Sequence, residues 1–147
     1  MKNILVSACL LGLATRYDGA AKEHKGIRAL SEKYNLIPFC PEIYGGLPTP
    51  RVPSERCGEL VITKDGRDVT DCYKKGAHES YKTAKMLGCD IAVLKERSPA
   101  CGTHEIYDGS FTGTKVEGVG VAAEYLSAHG IRVISEAEIE DFLKENE

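Results

Sequence analysis

The chain has 147 residues, 42% of them hydrophobic and 28% charged, with no tryptophan, a composition that suits a globular protein with a core of its own. Nineteen Lys and Arg against 22 Asp and Glu leave a net charge of −3 with no basic stripe, so neither nucleic acid nor an anionic membrane surface is expected as a partner. The apolar runs Ile4 to Val6 and Leu10 to Leu13 are broken by Ser7 and Gly12, too short for a membrane span, and lack a signal-peptide cleavage pattern; the expected location is the cytoplasm.

Residues Asn3 to Ala8 read as a short buried strand around Ile4-Leu5-Val6. Ile27, Leu30 and Tyr34 fall at helical spacing within Gly26 to Tyr34, and Leu36 to Phe39 is a second apolar run that ends at Cys40. Leu60 to Thr70 has the pattern of a hairpin turning at Asp65-Gly66. Thr70 or Asp71 then caps a helix to about Leu87, with Tyr73, Gly76, Ala77, Ser80 and Ala84 along one face and Gly88 as its stop. Asp90 to Lys95 is a third strand. Val119, Ala122, Ala123 and Leu126 mark a helix stopped by Gly130, and Ile131 to Ile134 a fourth strand. Ser135 and Glu138 form a capping box for a last helix that buries Ile139, Phe142 and Leu143. Short apolar strands alternating with amphipathic helices predict a single α/β domain over 1–147: a doubly wound, flavodoxin-like, mostly parallel sheet with helices on both faces.

Six cysteines in a reducing compartment need roles other than disulfides, and none forms a C-x-x-C pair. In an open parallel sheet, ligands bind beyond the carboxyl ends of the strands. Cys9 follows the first strand, Cys40 closes the second and Cys101 lies in the loop after the third, so parallel strands bring these three to one edge. Cys89 enters a strand from its amino end and reads as core; Cys72 opens a helix, and Cys57 precedes the hairpin. Three converging thiolates suit tetrahedral zinc, with water or His104 as the fourth ligand, or an iron–sulfur cluster with one iron left open. Spacing alone does not choose between them.

The flanking residues are Ser7-Ala8-Cys9-Leu10-Leu11-Gly12, Cys40-Pro41-Glu42 leading through Gly45-Gly46 to Pro50-Arg51-Val52-Pro53-Ser54-Glu55, and Ser98-Pro99-Ala100-Cys101-Gly102. These motifs, and nearly the whole chain, resemble the thiouracil desulfidase family. The resemblance implies a [4Fe–4S] cluster on Cys9, Cys40 and Cys101, catalytic roles for Glu42 and Ser98, and a thiolated nucleobase or nucleotide as small-molecule partner. It has one departure: the family's last motif carries a second serine where this chain has Ala100. Arg51, Glu55 and Asp18 are candidate substrate-binding residues, against the plainer readings of an Arg51–Glu55 ion pair and a turn residue before Gly19. On this basis the expected reaction is non-redox, hydrolytic removal of thiocarbonyl sulfur from a 2-thiouracil-like base. A non-catalytic iron–sulfur or zinc protein that carries or senses sulfur is the alternative, and a metal-free persulfide enzyme a third. The glycine-rich stretch Gly109 to Gly120 reads as a phosphate cradle, a flap or a plain connection.

Overall fold

A computed structural model describes residues 1–146. Its central sheet has four strands in the order β2-β1-β5-β8, all parallel. They are β1 (Asn3–Ser7), β2 (Asn35–Phe39), β5 (Ile91–Leu94) and β8 (Arg132–Ser135). Pro38 is tolerated in β2 because that strand lies at the sheet edge, where a missing N–H is least costly.

Side-chain alternation divides the core. Leu5, Phe39, Ala92 and Leu94 point to the face covered by α3 (Thr70–Met86) and α4 (Val121–Ala128), where they meet Tyr73, Ala84, Ala123 and Leu126. Ile4, Val6, Val93 and Ile134 point to the other face, against Ile27 and Leu30 of α1 (Ile27–Ser31) and Ile139 and Phe142 of α5 (Ile139–Glu145). The Ser135 N–H donates to Glu138 Oε1 at 3.0 Å, as the capping-box reading expects. The α1 crossover joins β1 to β2 on one face, and the α4 crossover joins β5 to β8 on the other. Uniform handedness requires this once the strand order reverses between β1 and β5. The reversal opens a crevice at the carboxyl ends of those two strands.

The hairpin differs from expectation. Leu60–Thr63 (β4) pairs antiparallel with Ser54–Cys57 (β3) through a two-residue turn at Gly58-Glu59, with Gly58 at φ +60°. The reversal at Asp65-Gly66 exists, but it adds only one bridge, Ile62 to Asp68. Sequence reading missed β3 because Ser-Glu-Arg-Cys has no apolar alternation. The glycine-rich stretch forms much of a second hairpin, β6 (Glu105–Tyr107) and β7 (Lys115–Glu117), with its tip between them.

A short helix, α2 (Pro41–Tyr44), follows Cys40 and crosses α3 at close range. A Cβ at Gly76 would overlap the Pro41 carbonyl oxygen, and one at Gly45 the Cys72 carbonyl. Both positions need glycine for backbone approach. Gly76→Ala therefore forces the segment carrying Cys40 and Glu42 away from α3. The expected cost is about 1–3 kcal/mol, a fall in melting temperature of several degrees readable by circular dichroism.

Candidate active site

The crevice is a cavity of about 500 Å³, and Cys9, Cys40 and Cys101 all line it. Cys9 sits in the 3-10 turn Ala8–Leu10 that leaves β1. Cys40 is the residue between β2 and α2, and the Pro41 that follows starts the helix with its φ already set. Cys101 comes from the turn after β5 and is 5% exposed. Ser7 Oγ donates to Cys101 Sγ at 3.5 Å and accepts the Lys95 N–H at 3.0 Å, tying the ends of β1 and β5 to this cysteine.

Burial and nearby negative charge act on all three thiols in the same direction. Burial, then negative charge on Cys40, pushes Cys9 up to about 11, against the pull of Lys95 and Arg16. Burial also raises Cys40 and raises Cys101 well above the ordinary thiol value, with charge on Cys40 and Cys9 adding to the effect at Cys101. The three are therefore poor thiolates without a positive partner, a partner that a cationic inorganic core would supply. Among the described residues, no three His, Cys, Asp or Glu side chains close on a point that would hold a single metal ion. Cysteine thiolates are the donors that hold an iron–sulfur core. Sulfur donors of this kind fit such a core.

Glu42, in the first turn of α2, lies beside them. Its Oε2 accepts Arg51 Nε at 2.9 Å and Tyr73 Oη at 3.2 Å, while its Oε1 accepts Ser98 Oγ at 3.4 Å. The Arg51–Glu42 pair is nearly sequestered, with side chains 7% and 14% exposed. Arg51 also donates to the carbonyls of Pro48 and Thr15, at 3.1 and 2.9 Å. Ser98 Oγ accepts the N–H groups of Ala100 and Cys101 at 3.0 and 3.1 Å, so the hydroxyl that meets Glu42 also shapes the Cys101 turn. Tyr73, 1% exposed, keeps its proton far above the usual phenol range because burial, and then the Glu42 charge, oppose ionisation.

The remaining candidates separate. Arg51 pairs with Glu42 rather than with Glu55, so the plainer reading of an Arg51–Glu55 ion pair does not hold. Glu55 lines the cavity, and its Oε1 accepts the N–H groups of Gly109 and Phe111. Asp18 is not part of the cavity wall; it accepts the Ala20 N–H at 3.0 Å and pairs with Arg16, which is on the wall. His104 is exposed and bonded to Glu138 at 2.6 Å, away from the thiols. Cys89 is buried core, Cys57 is exposed, and Ala100 is buried under α4 without lining the cavity.

Sequence reading passed over Ser7, Tyr73 and Glu96. Tyr73 falls on the apolar stripe of its helix, although a buried phenol requires a hydrogen-bond partner. Glu96 organises the loop beyond Cys101: its Oε1 accepts the N–H groups of Thr103 and His104 at 2.8 and 2.9 Å, and its Oε2 accepts Thr103 Oγ1 at 2.7 Å. Burial opposes its ionisation, yet the N–H groups of His104, Thr103 and Glu105 and the Thr103 hydroxyl together bring its pKa from 4.5 down to about 2. A carboxyl depressed by folding stabilises the fold above its unfolded value and loses that contribution as pH falls through the folded one. Glu96→Gln is thus expected to melt below the parent at pH 7, with the gap closing between pH 4.5 and about 2 in parallel thermal scans.

With this geometry in place, similarity to known proteins becomes specific. A model of the 2-thiouracil desulfurase family matches residues 4–138. The uncharacterized protein YbbK of Bacillus subtilis (strain 168) is 41% identical over 150 residues, covering 95% of this chain and 99% of that protein. A solved structure, the [4Fe-4S]-dependent thiouracil desulfidase TudS, superposes with a TM-score of 0.90 at 43% identity, covering 96% of this chain and 95% of that one. The chain belongs to the 2-thiouracil desulfurase family.

Proposed function

We propose that the chain, as one domain over 1–147, is a [4Fe–4S]-dependent desulfidase that hydrolyses the thiocarbonyl of a thiolated pyrimidine to the oxo base and hydrogen sulfide. The observation that carries this reading is the meeting, in one cavity, of three cysteines from three separate chain segments, Cys101 buried and Cys9 and Cys40 half-buried, with a hydrogen-bonded Glu42–Ser98 pair. The name of the TudS relative supports both the cofactor and the substrate class.

Cys9, Cys40 and Cys101 would hold the cluster, whose iron without a protein ligand supplies a soft Lewis acid for the thiocarbonyl sulfur. Glu42 is the general base. Arg51 and Tyr73 occupy its Oε2, fixing the carboxylate and leaving Oε1 as the oxygen that takes a proton from the attacking water. Ser98, at 3.4 Å from Oε1, positions that water or relays the proton to the departing sulfur. Water oxygen replaces sulfur at carbon, both water protons leave with the sulfide, and no electrons are exchanged. Arg51 and Glu55 form the substrate-binding wall, and Asp18 acts through Arg16 at the cavity wall.

A sulfur carrier or sensor has no use for a carboxylate held by three side chains beside the thiols, which favours catalysis. The test is turnover of 2-thiouracil by anaerobically reconstituted protein in ¹⁸O-water. Labelled uracil and sulfide in equal amounts are expected. Absence of both from every thiolated pyrimidine tried would end the desulfidase reading.

A further inference from the structure

Phe111 lines the cavity, is half-buried, and has φ +58°, a left-handed conformation that is an outlier for a bulky side chain. It stands at the tip of the β6–β7 hairpin, between Gly109 at φ +97° and Gly113 at φ +79°. The tip is fixed from outside the hairpin. Glu55 Oε1, on β3, accepts the Gly109 N–H at 3.0 Å and the Phe111 N–H at 3.1 Å. Gly109 also presses on β3: a Cβ there would lie 2.9 Å from Cys57 Cβ.

A strained residue of this kind persists only where its surroundings hold it, and such residues cluster at ligand clamps. Glycine would adopt the same backbone at no steric cost, so what phenylalanine adds at 111 is its ring. Four other aromatic groups line the wall, and two of them, Tyr17 and Tyr107, each carry a hydroxyl. Phe39 and Tyr73 are 2% and 1% exposed and belong to the core, and the Tyr73 hydroxyl is bonded to Glu42. Phe111 offers an apolar π face without a polar group of its own.

We infer that Phe111 is the platform on which the planar ring of the substrate stacks, with Glu55 as the positioning residue that holds the phenyl ring in the cavity. The inference rests on the thiolated-pyrimidine reading and deepens it: the ring is recognised by its π face, irrespective of whether sulfur or oxygen sits on its edge. Stacking of this type tolerates differences among bases because each has such a face. Substrate and oxo product therefore share this contact, and selectivity for sulfur arises at the cysteine end of the cavity.

Equilibrium dialysis tests this directly, with reconstituted protein against uracil and, so that the base is not consumed, with the reconstituted Glu42→Gln background against 2-thiouracil. In Phe111→Gly and Phe111→Leu the Kd for both bases rises about tenfold or more, whereas Phe111→Tyr stays near the parent. Phe111→Gly does not melt below the parent, because glycine suits the left-handed backbone; a merely structural ring would give the opposite result. Glu55→Ala weakens binding of both bases, and in turnover KM rises in these variants with a smaller change in kcat. Unchanged Kd in Phe111→Gly would overturn the inference, as would a parent that binds neither base. A parent that binds both bases through Phe111 yet releases no sulfide would leave the platform standing and remove the desulfidase reading alone.

Discussion

Cys101→Ala is expected to abolish sulfide release, and Cys9→Ala and Cys40→Ala to do the same. On the proposed reading each of the three would supply one thiolate from a different segment, and among the described residues no other cysteine lies on the cavity wall to replace it. Cys101 has the deepest position, 5% exposed and bonded to Ser7, so its loss leaves an apolar pit where a ligand is required. The effect is separable from folding. Alanine removes one sulfur from the cavity wall, at the end of the core layer that Cys101 shares with Leu5 and Phe39, and leaves the backbone elements in place. Circular dichroism should therefore match the parent while iron content and visible absorbance fall. Cys57→Ala serves as the control: this thiol is exposed, outside the cavity, and its replacement should keep both iron and turnover. A Cys101→Ala protein that retained parent-like sulfide release would contradict the ligand assignment.

Glu42→Gln is expected to keep the cluster and lower kcat by about 10²–10⁴-fold, the range typical of a lost general base. Glutamine preserves shape and can still accept from Arg51 and Tyr73 through its carbonyl oxygen. It cannot take a proton from water. Some loss of stability accompanies the change, because Arg51, 7% exposed at its side chain, loses its ionised partner. The two effects are distinguished by reading iron content and melting temperature on the sample used for kinetics. Full iron with depressed kcat is the expected pattern. Full iron with unchanged kcat would return the protein to the carrier or sensor class.

Much of the architecture was legible in the sequence because the strands Ile4-Leu5-Val6 and Ile91-Ala92-Val93-Leu94 are buried on both faces and therefore read as continuous apolar runs. The strand-end rule then brought Cys9, Cys40 and Cys101 to one edge, where they line one cavity. What stayed hidden depends on partners remote in sequence. β3 is polar, and only its register with Leu60–Thr63 makes it a strand. Arg51 pairs with Glu42 rather than with Glu55 because α2 turns the carboxylate toward it, a matter of orientation that spacing does not encode. Tyr73 sits on the core stripe of α3 yet points its hydroxyl at Glu42, and Glu55 serves a hairpin more than fifty residues downstream. Such contacts arise from packing, after the elements have assembled.

Iron and acid-labile sulfide analysis of anaerobically reconstituted protein tests the central claim most directly. About four iron and four sulfide per chain, lost together in Cys9→Ala, Cys40→Ala and Cys101→Ala, is the expected result. Protein that takes up no iron, or binds a full cluster that survives removal of any one of these three cysteines, would contradict it.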